Sequence, residues 1–293
     1  MLSLSKHDQR RSRRILWRSE LIAFAVLAIA VSVTMPAYAQ TAGDTCAGIG
    51  IGTGLPDSRI AACTEVIGAQ QTTASDRAVA YYNRGSAYYT KGRYDLAIAD
   101  CSQALRLQPN YAYASYVRGL AYNNTAQYDL AIADCSQALR LNPYYADAYV
   151  VRGLAYFNKR QYDLAIADYS QALRIDPNHP LAYYNRGIVN YYKGQYDLAI
   201  ADYNQALRID PSDASAYSNR GSAYRGKGQD DLAIADYNQS LRIDANNAVV
   251  YYNRGNAYRN KGQNDLARAD YRQALRIDPD YASAKEALAE LTR

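Results

Sequence analysis

Four side chains able to do chemistry crowd one short stretch, "YDLAIADYSQALRIDPN" at residues 162–178: Asp163, Asp168, Arg174 and Asp176. Carboxylates beside a guanidinium suit general acid–base work or cation binding. Nearly the same words stand at 94–110, 128–144 and 196–212, with looser copies from 230 and 264. That multiplicity argues against catalysis, because six equivalent copies do not each own a substrate pocket. The remaining inventory agrees. There are two histidines, His7 and His179, the second alone in a loop beside Pro180, so no nucleophile–base set forms round an imidazole. No phosphate loop, Cys-x-x-Cys or metal-ligand spacing occurs. The expectation is a non-enzymatic protein with no cofactor and no metal.

The elements that carry these residues recur on a fixed step. Arg-Gly pairs begin at Arg84, Arg118, Arg152, Arg186, Arg220 and Arg254, each 34 residues after the last, with no insertion. Six units follow: 78–111, 112–145, 146–179, 180–213, 214–247 and 248–281. Each reads as two helices. In the third, 148–159 makes the first helix and 162–175 the second. Tyr162, Ala165, Ile166, Tyr169, Ala172 and Leu173 lie three and four apart, on one helical face. Pro177 stops the second helix, as Pro109, Pro143, Pro211 and Pro279 do elsewhere, with Ala245 as the exception. Gly92, Gly194, Gly228 and Gly262 mark the inter-helix turn. Ala126 and Arg160 replace glycine there, which predicts a turn that does not demand positive φ. Gly153 stands mid-helix at a cost of about 1 kcal/mol against alanine. Close approach of the second helix explains it, with Ala165 as the expected neighbour.

The aspartates sort by position. Asp95, Asp129, Asp163, Asp197, Asp231 and Asp265 begin second helices, where carboxylates complement the dipole and cap free N–H groups. Asp100, Asp134, Asp168, Asp202, Asp236 and Asp270 fall mid-helix, opposite the regular arginines. An Arg–Asp ladder between helices is predicted, each exposed pair contributing about 0–1 kcal/mol.

Tyr149, Gly153, Tyr156, Ala165, Tyr169, Ala172 and Pro177 resemble the Trp/Tyr, Gly, Tyr, Ala, Phe/Tyr, Ala and Pro positions of the tetratricopeptide repeat. The resemblance implies an all-α fold, a right-handed α-solenoid superhelix of six 34-residue helix-turn-helix repeats. It also implies a concave groove, lined by the first helices, that holds another protein. Departures are Asn190 for the tyrosine of unit four, Asp230 and Asn264 for the aromatic at Tyr162, and Arg268 for Ile166. By that geometry the groove takes Tyr82, Tyr116, Tyr184 and Tyr252 in one row. Phe157, Tyr191, Arg225 and Arg259 stand in another. Its first four units are aromatic and aliphatic, its last two rich in Ser, Asn and Arg. Asn83, Asn185, Asn219 and Asn253 resemble the asparagine ladder that grips an extended peptide backbone in some long members, interrupted here by Val117 and Val151.

The ends complete the layout. Residues 1–39 hold six basic and two acidic residues. Of 33 basic and 28 acidic residues in all, 33 − 6 = 27 and 28 − 2 = 26 remain, a net of +1. Attraction to nucleic acid or anionic lipid thus loses its main support. A basic stretch, an apolar run from Leu21 to Val33, Pro36 and small Ala37 and Ala39 predict a signal peptide cleaved after Ala39, hence no stable membrane insertion. "SRRILW" at 12–17 resembles a twin-arginine motif. Residues 40–56 read as a flexible Gly-rich arm and 57–77 as an N-terminal half-repeat cap with Asp57 as its N-cap. Residues 282–293 read as a C-terminal capping helix with Ala284, Leu288 and Leu291 inward. In an exported chain, Cys46 and Cys63 are expected to form a disulfide tying arm to cap. Cys101 and Cys135, at the position of Tyr169, are expected to be buried hydrophobes. The whole reads as an exported bacterial scaffold, periplasmic in a Gram-negative cell, whose partner is a protein or extended peptide. The alternative is a carbohydrate- or peptidoglycan-binding accessory that uses the tyrosine-lined groove.

Overall fold

The computed structural model describes residues 42–47 and 56–292. The expected signal peptide and most of the Gly-rich arm lie outside the described residues. Within them stand α1 (Ala42–Ala47) and α2 (Pro56–Gly68), six helix pairs, and α15 (Ala282–Glu290). The pairs are α3 (Ala74–Thr90) with α4 (Tyr94–Leu107), α5 (Ala112–Asn124) with α6 (Tyr128–Leu141), and α7 (Ala146–Asn158) with α8 (Tyr162–Ile175). Then come α9 (Pro180–Tyr192) with α10 (Tyr196–Ile209), α11 (Ala214–Gly226) with α12 (Asp230–Ile243), and α13 (Ala248–Asn260) with α14 (Asn264–Ile277). This is the right-handed α-solenoid. Each helix packs on the next, and each first helix also touches the first helix of the following unit, whereas consecutive second helices make no contact of that extent. The first helices therefore form the inner, concave layer.

Packing follows the small residues. In unit three Ala165, Tyr169, Ala172 and Leu173 form one buried cluster with Val150, Ala182 and Val189, flanked by Tyr149 and Tyr156. A Cβ on Gly153 would stand 2.8 Å from Tyr169 Cε1. The glycine thus makes room for the tyrosine one turn beyond the expected Ala165. In units one and two the sulfurs of Cys101 and Cys135 take that place, 2.9 and 2.8 Å from the equivalent point, and both cysteines are buried. Burial pushes the Cys101 thiol up to about 12, so it stays protonated at neutral pH.

The turn between helices corrects one expectation. Ala126 and Arg160 adopt φ of 61°, beside 71–72° at the four glycines. The position does demand the left-handed region, because a Schellman closure runs through it: Gln161 N–H donates to the Tyr156 carbonyl (2.9 Å), across Arg160. The helix stop is also shared differently. Asp176 and Asp244 have the same extended backbone, although only the first precedes a proline. Their carboxylates accept from Asn178 N and Asn246 N, 3.0 Å in each case. That Asx turn is what lets Ala245 replace proline.

The first-turn aspartates do not cap. The second helices start from Arg93, Gln127, Gln161, Gln195, Gln229 and Gln263 with no side-chain cap bond. Instead Asp129, Asp163, Asp197 and Asp231 pair with Lys159, Lys193, Lys227 and Lys261 of the next unit's turn. Asp57 pairs likewise with Lys91 and lies inside α2, which begins at Pro56, so it is not an N-cap.

The Arg–Asp ladder is present in all six units, and its carboxylates are buried rather than exposed. Arg152 Nε and Nη2 each donate to Asp168 at 2.7 Å, and Nη1 donates to Ser136 Oγ of the preceding unit at 3.0 Å. One guanidinium thereby fixes the angle within a unit and the register between two.

At the N-terminal end, residues 42–47 of the arm form a helix. The Cys46–Cys63 disulfide joins α1 to α2 with 4.7 Å between Cα atoms. Arg77, on the first turn of α3, donates to the Ala69 and Thr72 carbonyls and fixes the bend from α2. The first helix of unit one starts at Ala74, before residue 78. No helix among the described residues is long and apolar enough to cross a membrane.

Candidate interaction groove

Side chains at i, i+3, i+7 and i+10 of each first helix share one face, and that face is turned to the concave side. Tyr82, Tyr116 and Tyr252 are half-buried there, while Tyr184 is only 9% exposed. Tyr184 belongs to the seam between units four and five: its phenol accepts from Asn219 Nδ2 at 3.0 Å, and burial drives its pKa well up. Val150, Ile188, Asn123 and Asn256 are buried as well.

The aromatic wall is continuous through units one and two. Tyr82 packs on Tyr111 with ring centroids 5.1 Å apart and lies 6.3 Å from Tyr113. Tyr145 bridges Tyr113 and Tyr116 at 5.5 and 4.7 Å. A second group joins Phe157 to Tyr162 and Tyr192, with Tyr191 against Tyr192 and Tyr196. Tyr113 and Tyr192 are 51% and 45% exposed, the most accessible rings on this face, yet sequence reasoning did not place them there. Their spacing was the available signal: Tyr113 precedes Tyr116 by three, and Tyr192 is next to Tyr191.

The polar end differs. Tyr252 packs on Tyr271 and Tyr281. Arg259 Nη1 donates to Glu290 Oε2 of α15 at 2.8 Å. Arg225 lies by the Tyr237 phenol. Of the asparagine row, Asn219 is engaged with Tyr184. Among the described residues Asn83, Asn185 and Asn253 make no side-chain hydrogen bond, so their half-buried amides are open to a ligand's peptide groups. His179 is not alone in its loop. Its Nδ1 accepts from Ala182 N at the start of α9, which leaves Nε2–H to donate to Asp147 at 3.1 Å. That is a cap and a tie between units.

Such a repeat, with one face for packing and one free to vary, defines a class of interaction scaffold, and the comparisons identify it. Family profiles described as TPR repeat match residues 153–194, 189–228 and 221–262, and profiles described as Tetratricopeptide repeat match 78–111, 112–145 and 248–281. The chain belongs to the tetratricopeptide repeat family. No curated protein sequence matches it significantly. Among solved structures it is similar to a chain of the APC/C hetero-tetramer Cut9-Hcn1 (TM-score 0.68, 20% identity, 83% of this chain and 49% of that one). It therefore spans about half the length of that relative. It is also similar to PilF of Pseudomonas aeruginosa (0.66, 19%, 74% and 100%) and to YrrB, described as a TPR protein with an unusual peptide-binding site (0.55, 24%, 64% and 96%). At these identities the likeness is one of fold.

Proposed function

We propose that this protein is a non-enzymatic scaffold that holds a protein or an extended peptide on its concave face, exported to the bacterial cell envelope. One observation carries the reading: accessible rings at Tyr113 and Tyr192 and open amides at Asn83, Asn185 and Asn253 lie on the single face that the repeats leave free to vary. Aromatic rings supply contact area at low entropic cost, and amides grip backbone without reading side chains. A peptide-binding site on YrrB is consistent with that use of the fold. Export is supported by the basic, apolar and small-residue order of residues 1–39.

Photo-crosslinking in the producing cell tests the groove. A crosslinking residue in place of Tyr113 or Tyr192 should give adducts of polypeptide mass, and one at Leu164, exposed on the outer layer, should not. Equal labelling at all three sites, or adducts to glycan alone, would overturn it. N-terminal sequencing of the protein from the periplasmic fraction should begin at Gln40; an intact N-terminus in the cytoplasm would sink the export reading.

A further inference from the structure

Two arginines stand in equivalent places on the concave face, Arg225 on α11 and Arg259 on α13, 34 residues apart. The register assigns each a neighbour 31 residues further on, in the next first helix. For Arg259 that neighbour is Glu290, and the pair closes at 2.8 Å. For Arg225 it is Asn256, an uncharged amide whose Oδ1 already accepts from the Tyr271 phenol at 2.8 Å. Among the described residues no carboxylate forms an ion pair with Arg225. Phenols surround it instead. Burial raises the Tyr191, Tyr237 and Tyr271 pKa values, the last two to about 12, and the Arg225 cation pulls each of them partly back. Those rings stay neutral at physiological pH and leave the guanidinium charge uncompensated.

A half-buried guanidinium that meets a phenol but no carboxylate is a receptor for an anion, and its planar fork matches a carboxylate. Glu290 shows the arrangement completed one step along the same row. The surrounding groove residues, Ser218, Ser222 and Asn253, are short and polar, so a chain can approach closely. We infer that the C-terminal third of the concave face binds an acidic segment of the partner peptide, with Arg225 receiving an aspartate or glutamate carboxylate. The inference rests on the peptide-binding reading above and adds the chemistry of the partner at one end of the groove.

Display selection from a random twelve-residue peptide library tests both and separates them. The bait is the disulfide-bonded chain from Gln40 to Arg293, beside R225Q and, as a control for surface charge, R174Q on the outer layer. Peptides selected on the wild type should be enriched in Asp and Glu. Their affinity should fall about tenfold on R225Q, the worth of one charge-assisted contact, and hold on R174Q. Cooperative unfolding of R225Q at the wild-type denaturant midpoint confirms that the fold is intact. Binders with no acidic enrichment, or equal loss on R174Q, would overturn the inference and leave peptide binding standing. A library that yields no binder to the wild type would remove the peptide-binding reading, and this inference with it.

Discussion

Replacing Tyr169 by phenylalanine should stabilise the solenoid, whereas the same change at Tyr271 should weaken it. Both rings fill the space over the mid-helix glycine of their unit, and both are fully buried. They differ in what their hydroxyls meet. Tyr271 donates to Asn256 Oδ1 at 2.8 Å, and Tyr237 shares a 3.1 Å bond with Ser222. The residue that precedes Tyr169 by the same fifteen positions is Leu154, and the Tyr169 hydroxyl is buried with no partner. An unsatisfied buried hydroxyl costs about 1–3 kcal/mol, and removing it leaves a gap of one oxygen atom. Y169F should therefore gain about 1 kcal/mol. Y271F loses a hydrogen bond and strands the Asn256 carbonyl, a loss of about 1–2 kcal/mol. Urea unfolding of the disulfide-bonded chain, followed by circular dichroism, reads both changes as opposite shifts of the midpoint at constant slope. Equal destabilisation by the two substitutions would refute the reasoning, since it would mean the Tyr169 hydroxyl has a good partner.

Three further outcomes follow from the same geometry. R160G should raise stability by about 1 kcal/mol, because glycine occupies φ of 61° without the steric cost of a side chain; a thermal midpoint no higher than wild type would contradict this. R152A should cost about 3 kcal/mol by leaving the Asp168 carboxylate buried and unpaired, and R152M/D168L should recover part of it; no recovery in the double variant would argue against the ladder. At alkaline pH the buried phenols govern stability. Burial raises Tyr89, Tyr237 and Tyr271 to about 12, above the unfolded value of 10, so their contribution is complete below pH 10 and is lost as pH rises toward 12. The last phenolate absorbance to appear, that of the buried rings, should coincide with loss of helix; complete ionisation with helix retained would contradict it.

The sequence displayed the period, the helix pairs and the ladder directly, because packing repeats every 34 residues and a repeated constraint leaves a repeated letter. It hid what depends on backbone conformation. Ala126 and Arg160 concealed the left-handed turn, since the Schellman closure imposes that conformation at a cost the residue type does not reveal. The role of Asp163 was misread because its partner, Lys193, lies thirty residues on, although the lysines recur on the same step as the aspartates. The concave face was only half legible. Spacing told which helix face Tyr184 occupies, but not that the phenol is closed off by Asn219 of the following unit. That depends on the angle between units, which single-helix periodicity does not encode.

The ladder also explains how the groove is free to vary. Arg220 binds Asp236 within its unit at 2.7 Å and Asn204 of the preceding unit at 2.7 Å, so the step between units is set by groups away from the concave face. Because the step is held there, residues five positions further along the first helix can change type without changing register. Tyr191, Arg225 and Arg259 occupy one such row in successive units. Going from the first to the second replaces an aromatic contact by a cation. Going from the second to the third replaces an open cation by one neutralised within the chain. Three chemistries thus stand at one geometry, and a bound peptide would meet them in order along its length. If the proposed groove binds a peptide, partner selection is a matter of which side chain fills a fixed place, and the charged motif that recurs in every second helix is what keeps the place fixed.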